Sequence, residues 1–279
     1  MKEELNSFID LALKEDLQQG DHTSLACISS EAIGKAQLLI KEAGILAGME
    51  VAKTIFKKVN PDIHFIPLMK EGDPMSIGDV AFIVEGPSRA ILTAERLVLN
   101  CMQRMSAIAT KTHFFVNLVE GTTAKILDTR KTTPGIRFLE KWAVKIGGGY
   151  NHRFGLYDMM MIKDNHIDFA GGIEAAIKKA NAYQYHKGMK IPIEIEARNL
   201  NEVDEILRVG NIQRIMLDNF SYEDTRIAVN RIGRRFETES SGGITEDTIR
   251  EYALCGVDFI SVGALTHSVK SLDLSLKAN

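Results

Sequence analysis

Residues 128–166 read DTRKTTPGIRFLEKWAVKIGGGYNHRFGLYDMMMIKDNH, and they concentrate positive charge. Arg130, Lys131, Arg137, Lys141, Lys145, His152, Arg153, Lys163 and His166 stand there among turn-forming Gly and Pro residues. The whole chain carries a formal net charge of -3, so this excess is local. Arg130-Lys131 and Lys163 each follow a short apolar run of strand type, at 124–127 and 159–162. An arginine grips a carboxylate or phosphate with two parallel N–H donors, whereas a lysine acts as a point charge. Cations just past strand ends therefore suit a small molecule with several anionic groups. Arg137, Lys141 and Lys145 recur at i, i+4 and i+8, which is the spacing of a solvated helix face, so they are left outside the core site.

Three further groups fall at strand ends. Glu196 in IPIEIEARN and Asp218 in RIMLDNF are carboxylates closing apolar runs, where a charge must be paired or solvated. They could form structural ion pairs with Arg198 or Arg214, or hold sugar hydroxyls or Mg²⁺ opposite a phosphate. Glu194 should face the same way as Glu196 in a strand, so the pattern leaves its contribution open. Ser241, Gly242 and Gly243 follow the run RRFETE, and Ser261, Val262 and Gly263 close VDFIS. Glycine-rich turns after the last two strands of a βα barrel, with a helix expected to begin near Thr245, form a phosphate cradle.

The elements that must position these groups follow from periodicity. Leu5, Phe8, Ile9, Ala12 and Leu13 mark a surface helix over 3–15, and residues 20–24 read as a turn. Between 35 and 92, the runs AQLLI, GILAG, IHFIPLM and VAFIVEG predict a mixed or antiparallel sheet with a helix over 50–58. Residues 93–120 predict a long helix with Thr93 as N-cap. Beyond 121 the rhythm becomes strand, loop, helix. Strands are expected at 124–127, 159–162, 191–196, 214–217, 235–239 and 258–262, with helices at 136–145, 171–184, 200–209, 221–232 and 245–254. Met159, Met160 and Met161 read as barrel core. The expected fold is an α/β barrel of six or seven parallel strands, TIM-like, over 108–269. An N-terminal α+β open-faced sandwich over 1–107 precedes it, with the tail 270–279 packing on that sandwich.

Composition narrows the function. With 45% hydrophobic and 25% charged residues, the 279-residue chain can bury a sizeable core. Its balance is not that of a nucleic-acid binder, which would need a net basic domain. Cys27, Cys101 and Cys255 lie far apart without metal-ligand spacing, which suggests reduced thiols. The acidic, amphipathic start MKEELNSFIDLALKED is neither signal peptide nor membrane anchor, so the chain reads as cytoplasmic. No Walker motif, GxGxxG or nucleophile elbow occurs.

Taken together, AERLVLNCMQRMSAIAT, DTRKTTPGIR, GGGYNHRFGLYDMMMIKDNH, IEIEARN, IMLDNF, ESSGGI and ISVGALTHS resemble the quinolinate phosphoribosyltransferase family, in order and over about residues 15–276. The resemblance implies transfer of phosphoribosyl from phosphoribosyl pyrophosphate to quinolinate, with decarboxylation, in NAD biosynthesis. It implies that Arg130, Arg153, Lys163 and His152 surround the two carboxylates of quinolinate, with Thr129 beside them. Lys131 and Lys163 would face pyrophosphate, and Glu196 and Asp218 would hold the ribose hydroxyls and Mg²⁺. Ser241, Gly242, Gly243 and Gly263, with Val262, would bind the 5-phosphate. Lys131, Lys163, Glu196 and Asp218 are the implied catalytic set. Arg96 would project into the neighbouring subunit's site, making the protein a homodimer or hexamer with shared sites. Ala107 departs from the family's usual Gly, which bears only on local helix packing. A same-fold transferase acting on another heteroaromatic acid is the nearest alternative. A non-catalytic anion sensor on a degenerate barrel would be expected to lack Glu196 or Asp218, and both are present.

Overall fold

The computed structural model describes residues 2–278, and its elements alternate as the apolar patterns do. In chain order they begin with α1 (Lys2–Leu17), α2 (His22–Cys27), β1 (Ile33–Ile40), β2 (Gly44–Ile45), α3 (Met49–Val59), β3 (His64–Pro67), β4 (Pro74–Met75), β5 (Val80–Pro87) and α4 (Ser88–Leu118). Next come β6 (Lys125–Leu127), α5 (Arg137–Ile146), β7 (Met160–Ile162), α6 (Asp164–Ala170), α7 (Ile173–Lys187), β8 (Ile193–Ala197) and α8 (Leu200–Val209). The chain closes with β9 (Arg214–Asp218), α9 (Tyr222–Ile232), β10 (Glu237–Ser241), α10 (Ile249–Leu254), β11 (Phe259–Ser261), α11 (Ala264–His267) and β12 (Leu274–Ala278). They form two compact units. One comprises Met1–His113, Thr132–Gly148 and Leu265–Asn279, and the other Phe114–Lys131 and Gly149–Ala264.

The first unit is built on a four-stranded antiparallel sheet ordered β12-β1-β5-β3. The C-terminal strand pairs with β1 from Ala36↔Ala278 to Ile40↔Leu274, so the tail is a structural strand of this unit. Helix α3 buries Val51, Ala52, Ile55 and Phe56. Phe56 meets Phe82 edge-on at 5.9 Å, and Phe82 meets Phe65 at 4.5 Å, which ties helix to sheet through aromatic pairs. The N-terminus of α3 follows Gly48, whose φ of +97° suits glycine. Its orphan amides are satisfied by a distant carboxylate: Glu71 accepts from Gly48 N (2.9 Å) and Glu50 N (3.2 Å). On α4, Ser106 Oγ accepts the amide of Ala47 (3.0 Å) and donates to its carbonyl (3.1 Å).

The second unit carries a six-stranded parallel sheet ordered β6-β11-β10-β9-β8-β7. Parallel register sets the rows of side chains. Glu194, Arg214 and Glu237 lie in one row, Glu196, Met216 and Glu239 in the next, and Asp218 faces Ser241 at the end. Side chains two apart share a face, so each strand offers one stack of groups to one side of the sheet. Beyond β6 the order gains a single bridge, Leu127↔Tyr150, from a segment that carries no apolar run of its own.

Several expectations need correction. Helix α4 begins at Ser88 rather than Thr93, and the Thr93 hydroxyl instead donates to Asp21 Oδ2 (3.1 Å). Of residues 20–24, expected as a turn, His22–Ser24 already belong to α2, with Asp21 capping it by accepting Ser24 N. The helix expected over 171–184 is α7, and a short helix that was not expected, α6, precedes it, the two separated by Gly171 and Gly172 at φ of +93° and +118°. Strand β10 runs two residues later than expected, so Ser241 ends it rather than following it. Lys141 is buried rather than solvated, only 1% exposed, because α5 turns its middle inward beside Glu140. Met159, Met160 and Met161 are half-buried, not core.

Glu140 supports the first unit strongly. It is fully buried and accepts from Arg104 Nε (3.1 Å), Arg104 Nη2 (2.8 Å), Thr133 N (3.0 Å) and Thr133 Oγ1 (2.8 Å). Removing one partner of such a pair leaves a desolvated charge, which costs about 3–5 kcal/mol. Glu140→Ala should therefore lower the urea midpoint by that equivalent, and a variant with an unchanged midpoint would contradict this role.

Candidate active site

All but one of the expected site residues belong to the second unit and sit at or just past the C-terminal ends of its strands. Arg96 is the exception; it is exposed on α4 in the first unit. After β6, the buried carboxylate of Asp128 accepts the amide of His152 (2.9 Å), which fastens the 129–131 turn to the 149–153 loop. Thr129 Oγ1 accepts the amide of Lys131 (3.0 Å), an ST-turn that holds Arg130 and Lys131 in sequence. The loop after His152 is organised by Asp158, which accepts from Phe154 N (2.6 Å) and Gly155 N (2.8 Å).

Arg153 is half-buried, donating to the Met159 carbonyl (3.3 Å) and reaching Met161 Sδ at 3.6 Å. Burial and then the nearby charge of Arg130 depress its pKa. Two guanidiniums close enough to disfavour each other make a pocket that an anion stabilises.

Opposite in sign, Glu196 accepts from Lys163 Nζ at 2.7 Å. The expected alternatives do not form: Arg198 pairs with Glu202 and Asp168, and Arg214 with Glu237 and Glu239. The Asp218 carboxyl is pushed up by burial and then by the charge of Glu196. Two neighbouring carboxylates with mutual repulsion form an oxygen donor set that fits a hard divalent cation such as Mg²⁺.

At the strand ends beyond Asp218, Asn219 takes φ of +56° and donates through Nδ2 to Asp218 Oδ2 (2.8 Å). Its amide donates to the Ser241 carbonyl (2.9 Å). Gly242, at φ +93°, lies so close that a Cβ there would collide with Asn219 Oδ1, so this turn has room only for glycine. The segment 244–248 is a turn, and α10 begins at Ile249, so the helix expected near Thr245 does not supply its N-terminus to the SGG turn. Val262 is buried, its amide donating to the Leu127 carbonyl (2.9 Å), and Gly263 follows it half-buried.

Beneath these groups lies a polar cluster that the sequence reading missed. His152 Nε2 lies 2.8 Å from Glu194 Oε2 and 3.4 Å from Glu239 Oε2, and Glu239 Oε2 accepts from Arg214 Nη1 (3.0 Å). Arg214 also stacks 4.0 Å from the Phe259 ring centre. Glu194 and Glu239 are fully buried. One ligand atom each from His152, Glu194 and Glu239 converge within 4.8 Å, as a cation site would need. Arg214 already supplies positive charge there.

Burial pushes Glu194 up, with the charge of Glu239 adding to it. For Glu239 burial is outweighed by His152 and Arg214, which hold it low. Burial opposes charge on His152, but Glu194 and Glu239 more than offset this and lift it from 6.5 to about 9. Its Nδ1 accepts the amide N–H of Arg153 (2.7 Å), a bond that only the neutral ring can make, with its proton on Nε2 toward the acids, and this bond opposes the charge that the acids favour.

Two family models cover the chain: quinolinate phosphoribosyl transferase, N-terminal domain, over residues 21–106, and its C-terminal domain over 108–277. The chain is 45% identical to the chloroplastic nicotinate-nucleotide pyrophosphorylase (carboxylating) of Arabidopsis thaliana, across 98% of this chain and 82% of that protein. It is 42% identical to the probable nicotinate-nucleotide pyrophosphorylase (carboxylating) of Bacillus subtilis, across 99% and 92%. Among solved structures, NadC from Streptococcus pyogenes matches with a TM-score of 0.94 and 38% identity, covering 99% of this chain and 96% of that one. The chain belongs to the quinolinate phosphoribosyltransferase family.

Proposed function

We infer that the protein is a decarboxylating quinolinate phosphoribosyltransferase, which makes nicotinate mononucleotide, pyrophosphate and CO₂ from quinolinate and phosphoribosyl pyrophosphate. The observation that carries this reading is the charge layout of one unit, where Arg153 feels the charges of both Arg130 and Glu196, Glu196 pairs with Lys163, and Asp218 feels Glu196. A dicarboxylate needs the first group, and a sugar bearing a leaving pyrophosphate needs the second.

In this reading Arg130, His152, Arg153 and Lys163 bind the two quinolinate carboxylates, with Thr129 shaping the turn. Lys131 and Lys163 face the pyrophosphate. Ser241, Gly242, Gly243, Val262 and Gly263 line the 5-phosphate. The pyridine nitrogen attacks C1 of the ribose as pyrophosphate departs, and the charge that develops on the sugar is stabilised by Glu196 and Asp218. The same two carboxylates would hold Mg²⁺, which when bound neutralises charge on the pyrophosphate. In the pyridinium intermediate the positive ring nitrogen stabilises the electron pair left at C2 when the 2-carboxylate departs as CO₂, and that carbon then takes a proton from water. The protein's main work is then to hold two mutually repelling anions in register.

Finer points of organisation belong to the same reading. The parallel sheet, extended by Tyr150 beside Leu127, curls into a seven-stranded barrel. Residues 1–107 form the N-terminal domain and 108–269 the catalytic one, a division supported by family matches that meet at 106 and 108. The active form is a homo-oligomer in which Arg96 of one subunit completes its neighbour's site. No described helix is long and apolar enough to cross a membrane. The free thiols at Cys27, Cys101 and Cys255 support a cytoplasmic enzyme.

Purified protein given quinolinate, phosphoribosyl pyrophosphate and Mg²⁺ should release CO₂ and pyrophosphate together; turnover of nicotinate with no CO₂ from quinolinate would overturn the assignment. Arg96→Ala and Lys163→Ala proteins, each nearly inactive alone, should regain activity when mixed and reassembled, because one hybrid site carries neither lesion. A mixture no more active than its parts would contradict a shared site.

A further inference from the structure

We infer that Glu239, together with Glu194 and Arg214, is a positioning residue for the dicarboxylate end of the site and acts through His152. This rests on the reading above that His152 and Arg153 bind quinolinate.

Glu239 is fully buried in β10. Its Oε2 accepts from Arg214 Nη1 of β9 at 3.0 Å and lies 3.4 Å from His152 Nε2. Ser261 of β11 also hydrogen-bonds this carboxylate. One side chain thus ties two neighbouring strands to a loop residue. Glu194 of β8 adds a second contact to the same ring nitrogen at 2.8 Å. On its other edge the ring accepts the Arg153 amide through Nδ1, at 2.7 Å. The main chain just before the ring is anchored in turn, because Asp128 accepts the His152 amide at 2.9 Å.

The imidazole is therefore a strut. Acids from two strands fix its Nε2 edge, and its Nδ1 edge fixes the backbone of Arg153. Turning the ring over would exchange the two nitrogens and break the match on both sides. Two fully buried carboxylates are costly to desolvate, and well-packed apolar residues in their place would commonly be as stable or more so. What an apolar replacement could not do is hold an imidazole in one orientation. Rigid support from beneath is what a guanidinium needs to grip a planar carboxylate with two donors.

Glu239 also lies two residues before Ser241, so a purely structural role would reach the phosphate turn through the β10 backbone. The two roles predict different kinetics. If Glu239 works through His152, Glu239→Gln should raise KM for quinolinate about ten- to hundredfold. KM for phosphoribosyl pyrophosphate should then stay within about twofold, since no step in this chain of contacts touches that substrate. In a His152→Asn background the added Glu239→Gln change should shift KM for quinolinate by less than about twofold, because the strut is already gone.

The test is this double-mutant cycle, run on the full-length enzyme with both substrates varied. Equal rises in both KM values would overturn the proposal, as would a Glu239→Gln effect of the same size with and without His152. Should Glu239→Gln fail to fold, Glu194→Gln keeps the Arg214–Glu239 pair and is read in the same cycle. Wild-type turnover of quinolinate is measured first, so its absence would count against the assigned activity rather than the positioning role.

Discussion

The structure turns on holding positive charges close together at the ends of strands. Arg153 is half-buried near the like charge of Arg130, an arrangement that disfavours its charge. Such a cluster persists only if the backbone around it is over-determined. Asp128 clamps the amide of His152, Asp158 clamps two amides of the following loop, and the imidazole clamps the amide of Arg153. Each clamp places a carboxylate or ring nitrogen on a backbone donor, so the loop is held through its main chain.

Beneath that layer the parallel register explains why acids and bases alternate. Glu194, Arg214 and Glu237 share one row, and Glu196 and Glu239 lie in the next. In an ordinary parallel sheet these rows would be filled with branched apolar residues. Here they carry a buried network in which Arg214 and His152 offset Glu194 and Glu239. Polar interiors of this kind are favourable only when their members are satisfied, so the network couples strand spacing to the loop above it. The first unit contributes order of another kind, from an antiparallel sheet sealed by the C-terminal strand and a helix pair locked by Arg104 and Glu140.

Much of this was legible in the sequence. Cations after apolar runs, IEIE and LDN at strand ends, and paired Gly-rich turns each announce a site at the ends of parallel strands. What was not legible has physical causes. Tyr150 joins the sheet by one bridge within a Gly-rich loop, so no apolar run marks it. The strand ETESS is wholly polar, which hid Glu239 and shifted its register; a polar run at regular βα spacing was the available signal of an interior network. Asn219 adopts positive φ after a strand, a habit of Asn that could have flagged it beside Gly242. Lys141 followed a helical surface spacing yet is buried, because spacing reports a shared face and not which face meets solvent. Helix α6 went unexpected because it is only seven residues long and carries little apolar periodicity.

In the proposed function Arg130 and Arg153 grip the two adjacent carboxylates of quinolinate. Calorimetric titration of quinolinate and of nicotinate into the enzyme and into Arg153→Ala tests this most directly. The account predicts that quinolinate binds the wild type at least about tenfold more tightly than nicotinate, a difference of about 1.4 kcal/mol, and that the preference collapses in the variant. Equal affinity for the two acids in the wild type would contradict it, as would a preference untouched by the loss of Arg153.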